Sequence, residues 1–96
     1  MLLNISYQEF EAKIDNFIII DIRSIEKYNN SHIPNSINIP SEKLILEPEK
    51  YLDKYKTYCL YCTRGITSNK LGKILSMKGY KILNLDGGYE SWILNH

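Results

Sequence analysis

The sequence predicts an α/β fold, a roughly five-stranded, mainly parallel sheet with helices on both faces. Three observations carry this. Short apolar runs of strand character alternate along the chain with segments of helical spacing. The connections between those runs are too long for hairpins, which favours parallel pairing. One run, Phe17-Ile18-Ile19-Ile20, is continuous rather than alternating, the pattern of a strand covered on both sides.

Each element has a local signal. Leu2–Ile5 is a short apolar stretch, after which Ser6 and Glu9 form a capping box and Phe10 and Ile14 give a helix its apolar spacing. The Phe17–Ile20 strand ends at Asp21. Ser24 caps a short helix running to about Asn30. Ser36–Ile39 reads as a short strand closed by Pro40, and Ser41 opens a helix whose Leu44 and Ile45 are expected to face inward until Pro48 interrupts it. Thr57–Tyr61 is an aromatic and apolar strand, and Cys62–Thr67 a loop. Ser68 is expected to begin the best helix, with Leu71, Ile74 and Leu75 on one face, Lys70 and Lys73 on the other, and Gly79 as its stop. Lys81–Leu85 is a fifth strand and Asp86-Gly87-Gly88 a turn. Tyr89, Trp92 and Ile93 form the apolar face of a last short helix.

Length and composition bound the rest. The 96 residues fit a single domain, 1–96. A chain of this size buries roughly two-thirds of its unfolded surface and needs no staples. Twelve Lys and Arg against eleven Asp and Glu leave a net charge of +1, without the basic excess of a nucleic-acid binder. No apolar stretch approaches the roughly 20 residues of a membrane span, and no secretory leader is readable. The two cysteines make no disulfide framework, so the expected compartment is the cytoplasm. Val is absent and Ala12 is the sole alanine, a compositional bias under which the eight tyrosines need no aromatic binding surface.

In parallel sheets, sites form beyond the carboxyl ends of the strands, here Asp21, Cys62 and Asp86. Cys62-Thr63-Arg64-Gly65-Ile66-Thr67-Ser68 runs from such an end into a helix start. Unsatisfied amides there favour an anion and hold a cysteine as its reactive thiolate. Gly65 lets successive amides converge on one point, and Arg64 is the one side-chain cation within the loop. Nucleophile, anion cradle and cation together describe covalent catalysis on an anionic substrate.

Spacing sorts the rival chemistries. A protein-tyrosine-phosphatase loop, Cys-x-x-x-x-x-Arg, would need Arg where Ser68 stands. Cys59-Leu60-Tyr61-Cys62 matches a redox Cys-x-x-Cys pair. However, three extended steps separate those Cα atoms by roughly 10 Å and point the side chains to opposite faces, against the roughly 4.4–6.8 Å a disulfide wants. His32 and His96 supply no second ligand pair for zinc. Sulfur transfer remains.

At this point the chain resembles the rhodanese family of sulfurtransferases, on three motifs in order. Asp21-Ile22-Arg23, Tyr28 and His32-Ile33-Pro34-Asn35-Ser36-Ile37-Asn38-Ile39-Pro40 resemble its first signature, Cys62–Thr67 its six-residue active-site loop, and Gly79-Tyr80, Leu85-Asp86-Gly87-Gly88 and Trp92 its closing signature. The chain departs from the pattern at Ser31, which replaces a Gly. It departs again at Lys27, which replaces the Glu that the family pattern pairs with the Arg at position 23, while Glu26 stands one place early. Thr67 is similar to the last loop position of thiosulfate-using members.

The resemblance implies a rhodanese-like three-layer sandwich and a thiosulfate (sulfane) sulfurtransferase. Cys62 would be the nucleophile and carry a persulfide, and Thr63, Arg64, Gly65, Ile66, Thr67 and Ser68 would bind substrate. Asp21 and Arg23 would support the site, with His32 and Trp92 as packing residues. No metal and no cofactor are implied. The expected partners are a small anionic sulfur donor and a thiol acceptor, a sulfur-carrier protein among the candidates, with no nucleic acid and no membrane. The competing reading is a non-catalytic rhodanese-like binding or regulatory module.

Overall fold

The computed structural model describes residues 2–96. Its strands are β1 (Leu3–Ile5), β2 (Ile18–Asp21), β3 (Ile37–Asn38), β4 (Thr57–Tyr61) and β5 (Lys81–Leu85). They form one parallel sheet in the order β1-β5-β4-β2-β3. The helices are α1 (Tyr7–Ala12), α2 (Ile25–Asn30), α3 (Ser41–Leu46), α4 (Pro48–Tyr51), α5 (Ile66–Met77) and α6 (Gly88–Leu94). The expected fold class holds.

The continuous apolar strands are explained by two cores, one on each face of the sheet. Ile20, Tyr58 and Leu60 pack on one face with Leu44 of α3 and Leu71 and Leu75 of α5. Ile19, Cys59 and Tyr61 pack on the other with Phe10 of α1 and Tyr89 of α6. Neighbouring strand residues alternate between the two cores, as the two-residue period of a strand requires. Leu44 and Leu75 are fully buried, and each contributes about 2 kcal/mol by leaving water.

Side-chain caps set the starts of the first two helices. Ser6 and Glu9 form the capping box, the Ser6 hydroxyl accepting from the Glu9 amide at 3.1 Å. Ser24 caps α2 by accepting from the Lys27 amide.

Four expectations need correction. Helix α5 begins at Ile66, two residues before Ser68, because Gly65 takes a left-handed φ of +89° and turns the chain into the helix early. Pro48 opens α4 rather than only ending α3, since proline's missing N–H costs nothing in a first turn. Gly88 likewise belongs to α6 and not to the preceding turn. Ile45, Ile74 and Ile93 are exposed instead of inward, because each helix buries only the narrow stripe touching the sheet.

Candidate active site

Cys62 follows the last residue of β4, beyond the carboxyl edge of the sheet, and the chain turns through Thr63, Arg64 and Gly65 into α5. Three donors converge on its sulfur. The Gly65 amide lies 3.2 Å from Sγ, the Ser68 amide 3.4 Å and the Ser68 hydroxyl 3.3 Å. Burial raises the thiol pKa; the Ser68 hydroxyl, then the amides of Ser68, Gly65 and Arg64, pull it down and outweigh burial. Cys62 is thus held below the usual thiol range. Cys59 is pushed up to about 12 by burial alone. The two sulfurs lie in opposite cores, in agreement with their odd spacing.

The loop is clamped from beneath by the start of α6. The Tyr89 amide donates to the Cys62 carbonyl at 2.8 Å and the Glu90 amide to the Thr63 carbonyl at 3.0 Å. Gly88 makes this approach possible: a Cβ there would lie 2.4 Å from the Cys62 carbonyl oxygen and 2.8 Å from the Gly65 nitrogen. Asn84 on β5 adds a hydrogen bond to the Gly65 carbonyl. Gly88 is therefore part of the floor of the Cys62 loop.

Asp21 and Arg23 form a buried unit beside the loop. The Arg23 guanidinium grips the Asp21 carboxylate, the closest contact being 2.7 Å, and donates to the Ser31 carbonyl at 2.6 Å. The Tyr61 hydroxyl donates to the same carboxylate at 2.6 Å. The guanidinium also lies 4.2 Å from the centre of the Tyr89 ring, a cation–π distance. The Asp21 carboxylate thus holds Arg23 and Tyr61 and makes no hydrogen bond to the Cys62 loop. His32 stacks on Tyr28 and bonds its carbonyl, and Trp92 stacks on Tyr89, so both are packing residues.

A cavity of about 610 Å³ opens above the loop. Cys62, Thr63, Arg64, Ile66 and Thr67 line it, whereas Gly65 and Ser68 lie beneath and act through their hydrogen bonds to sulfur. Arg23 also lines it. Asp86, at another strand end, is exposed beside a smaller cavity on the far side of Arg64 and does not join Cys62.

Lys27 of α2 and Ser41 and Glu42 of α3 also line the Cys62 cavity, beside Ile22 and Ser24, and sequence reasoning assigned these three no part in the site. The only signal was Lys27 standing where the family pattern has Glu. Arg64, the one cation of the loop, thus shares the cavity wall with Lys27 and Arg23. Among the described residues no three His, Cys, Asp or Glu side chains gather as a metal site requires. Among the same residues no helix is long and apolar enough to cross a membrane. Chemically, the arrangement presents a thiol of lowered pKa, held by amide donors below it, at a cavity whose wall carries cations, which suits a sulfur nucleophile meeting an anion.

The chain is similar to known proteins over most of its length. A thiosulfate sulfurtransferase GlpE of Coxiella burnetii is 34% identical over 86 residues, covering 88% of this chain and 79% of its own. A putative sulfurtransferase YtwF of Bacillus subtilis is 32% identical over 80 residues, covering 81% of this chain and 75% of its own. The crystal structure of a rhodanese-related protein from Thermoplasma volcanium superposes with a TM-score of 0.89 at 31% identity, covering 97% of this chain and 92% of that one. The family model of the rhodanese-like domain matches residues 6–95, and the chain belongs to that family.

Proposed function

We propose that the protein is a sulfurtransferase that moves sulfane sulfur through a persulfide on Cys62, with thiosulfate as a donor and a thiol or cyanide as acceptor. The observation that carries this reading is the Cys62 sulfur, lowered in pKa by three converging donors at the floor of a cation-lined cavity. The family and the names of its sulfurtransferase relatives support the reaction class, and the Coxiella protein's name supports the donor.

In the first half-reaction the Cys62 thiolate attacks the outer sulfur of thiosulfate. The Sγ–S bond forms, the donor's S–S bond breaks, and its electron pair leaves with sulfite. Arg64, Lys27 and Arg23 favour the sulfonate end while the sulfur is attacked. The amides of Gly65 and Ser68 hold the charge on the enzyme's sulfur. In the second half an acceptor nucleophile attacks the outer sulfur of the persulfide and Cys62 leaves as thiolate, restored by the same donors. Two separated half-reactions give ping-pong kinetics.

Sulfite release from thiosulfate, measured on Cys62→Ser and Cys59→Ser, tests the proposal. Cys62→Ser is expected to lose turnover and keep its fold, since serine is close to cysteine in size and the Ser68 hydroxyl and the Gly65 amide remain to bond it, and Cys59→Ser is expected to keep turnover. Equal loss in two folded variants would favour a paired-cysteine mechanism. Full turnover in Cys62→Ser would overturn the reading.

A further inference from the structure

The Cys62 cavity is larger, and differently charged, than an inorganic donor requires. A volume of about 610 Å³ lies within the roughly 300–1,000 Å³ typical of organic-ligand sites, whereas thiosulfate has five atoms. Its wall carries charges of both signs, Lys27 and Arg64 on one hand and Glu42 on the other. All three are exposed, and none has an ion-pair partner among the described residues. Arg23, the other cation of the wall, is already paired with Asp21.

The carboxylate is the informative group. A pocket shaped for anions alone gains nothing from Glu42, which repels a dianion. Glu42 stands in the first turn of α3, where a helix favours negative charge, and it accepts from the Ser41 hydroxyl at 3.3 Å. Its carboxylate lies at the cavity wall.

We infer that this cavity selects a zwitterionic aminothiol of amino-acid type as sulfur acceptor, with Glu42 receiving the ammonium and Lys27 and Arg64 the carboxylate, while the thiolate faces Cys62. The inference rests on the persulfide reading given above. The acceptor thiolate attacks the outer sulfur of the Cys62 persulfide, forming the new S–S bond. The bond from Cys62 Sγ to that sulfur breaks, and its electron pair stays on Cys62 as thiolate. One sulfur atom moves, the product is the acceptor's persulfide, and no outside oxidant or reductant is needed.

The test compares three thiols that differ only in their charged groups. Protein loaded with thiosulfate and freed of excess donor is discharged by L-cysteine, by cysteamine (no carboxylate) and by mercaptopropionate (no ammonium). Taking the ratio of variant to parent for each thiol cancels the thiols' intrinsic reactivities. Glu42→Gln is expected to slow L-cysteine and cysteamine by about two- to fivefold, the effect of an exposed ionic contact, and to speed mercaptopropionate. Lys27→Gln is expected to slow L-cysteine and mercaptopropionate but not cysteamine. A ratio common to all three thiols in either variant overturns the inference.

Binding of S-methyl-L-cysteine, followed by NMR at the Lys27, Glu42 and Arg64 amides, needs no persulfide. Weaker binding in Glu42→Gln supports the acceptor site even if Cys62 fails to load, and that failure would count against the persulfide reading alone. Equal affinity of parent and variant, or no binding, overturns the acceptor site whatever the loading shows.

Discussion

Replacing Ser68 by alanine removes one donor from the Cys62 sulfur and leaves the others in place. The Ser68 side chain is fully buried and its hydroxyl lies 3.3 Å from Sγ, while the Gly65 and Ser68 amides stay with the backbone. A hydrogen bond to a charged group is worth about 1.5–3 kcal/mol. Sulfur is a weak acceptor, which places this bond at or below the low end. About 1.4 kcal/mol corresponds to one pKa unit. The variant loses a donor that favours the thiolate, so Cys62 should titrate about one unit higher.

The rate of iodoacetamide alkylation against pH reads this directly. Cys59 is silent in the assay, being buried with its pKa pushed up to about 12. Stability carries the same sign. Because the folded state lowers the Cys62 pKa, its contribution is complete above the ordinary thiol value and is lost as the pH falls through the folded value. In Ser68→Ala that pH-dependent contribution shrinks. An unchanged alkylation midpoint in a folded Ser68→Ala protein would refute the role given to the hydroxyl.

Two further substitutions probe the loop's floor and its cation. Gly88→Ala places a methyl 2.4 Å from the Cys62 carbonyl oxygen at a φ of +59°; it should cost about 1–3 kcal/mol in urea denaturation through overpacking and raise the Cys62 alkylation midpoint as the loop is displaced. Arg64→Ala should lower kcat/KM for thiosulfate by only about two- to fivefold, because Arg64 is exposed and Arg23 and Lys27 share the cavity. Discharge of the loaded protein by cysteamine, which carries no anionic group to hold, should change less.

What the sequence revealed was local. The capping box at Ser6, the strand in the continuous Phe17–Ile20 run and the strand-to-helix position of Cys62 are each readable within a few residues; the first and last stand as expected, and the strand begins one residue later, at Ile18. The odd spacing of Cys59 and Cys62 separated their roles because strand period is strict. What stayed hidden depended on distant approach. Lys27 and Glu42 belong to α2 and α3, which reach Cys62 only once β2, β3 and β4 are paired.

Gly88 reads as a turn residue until the sheet brings it under the Cys62 carbonyl. Ser68 reads as a helix cap because it follows a glycine-containing loop. Gly65 starts the helix earlier, which places Ser68 in the first turn with its hydroxyl on the sulfur. The Glu missing at position 27 did not predict that Asp21 would hold Arg23, since that pairing depends on the bend after β2.

The central claim is that Cys62 accepts one sulfur atom from a donor and carries it. Intact-mass spectrometry with peptide mapping, before and after incubation with thiosulfate, measures this directly. The account predicts a gain of the mass of one sulfur, located on Cys62, absent from Cys62→Ser and removed by cyanide. Recovery of the unchanged mass, or of the added sulfur on Cys59, would contradict it.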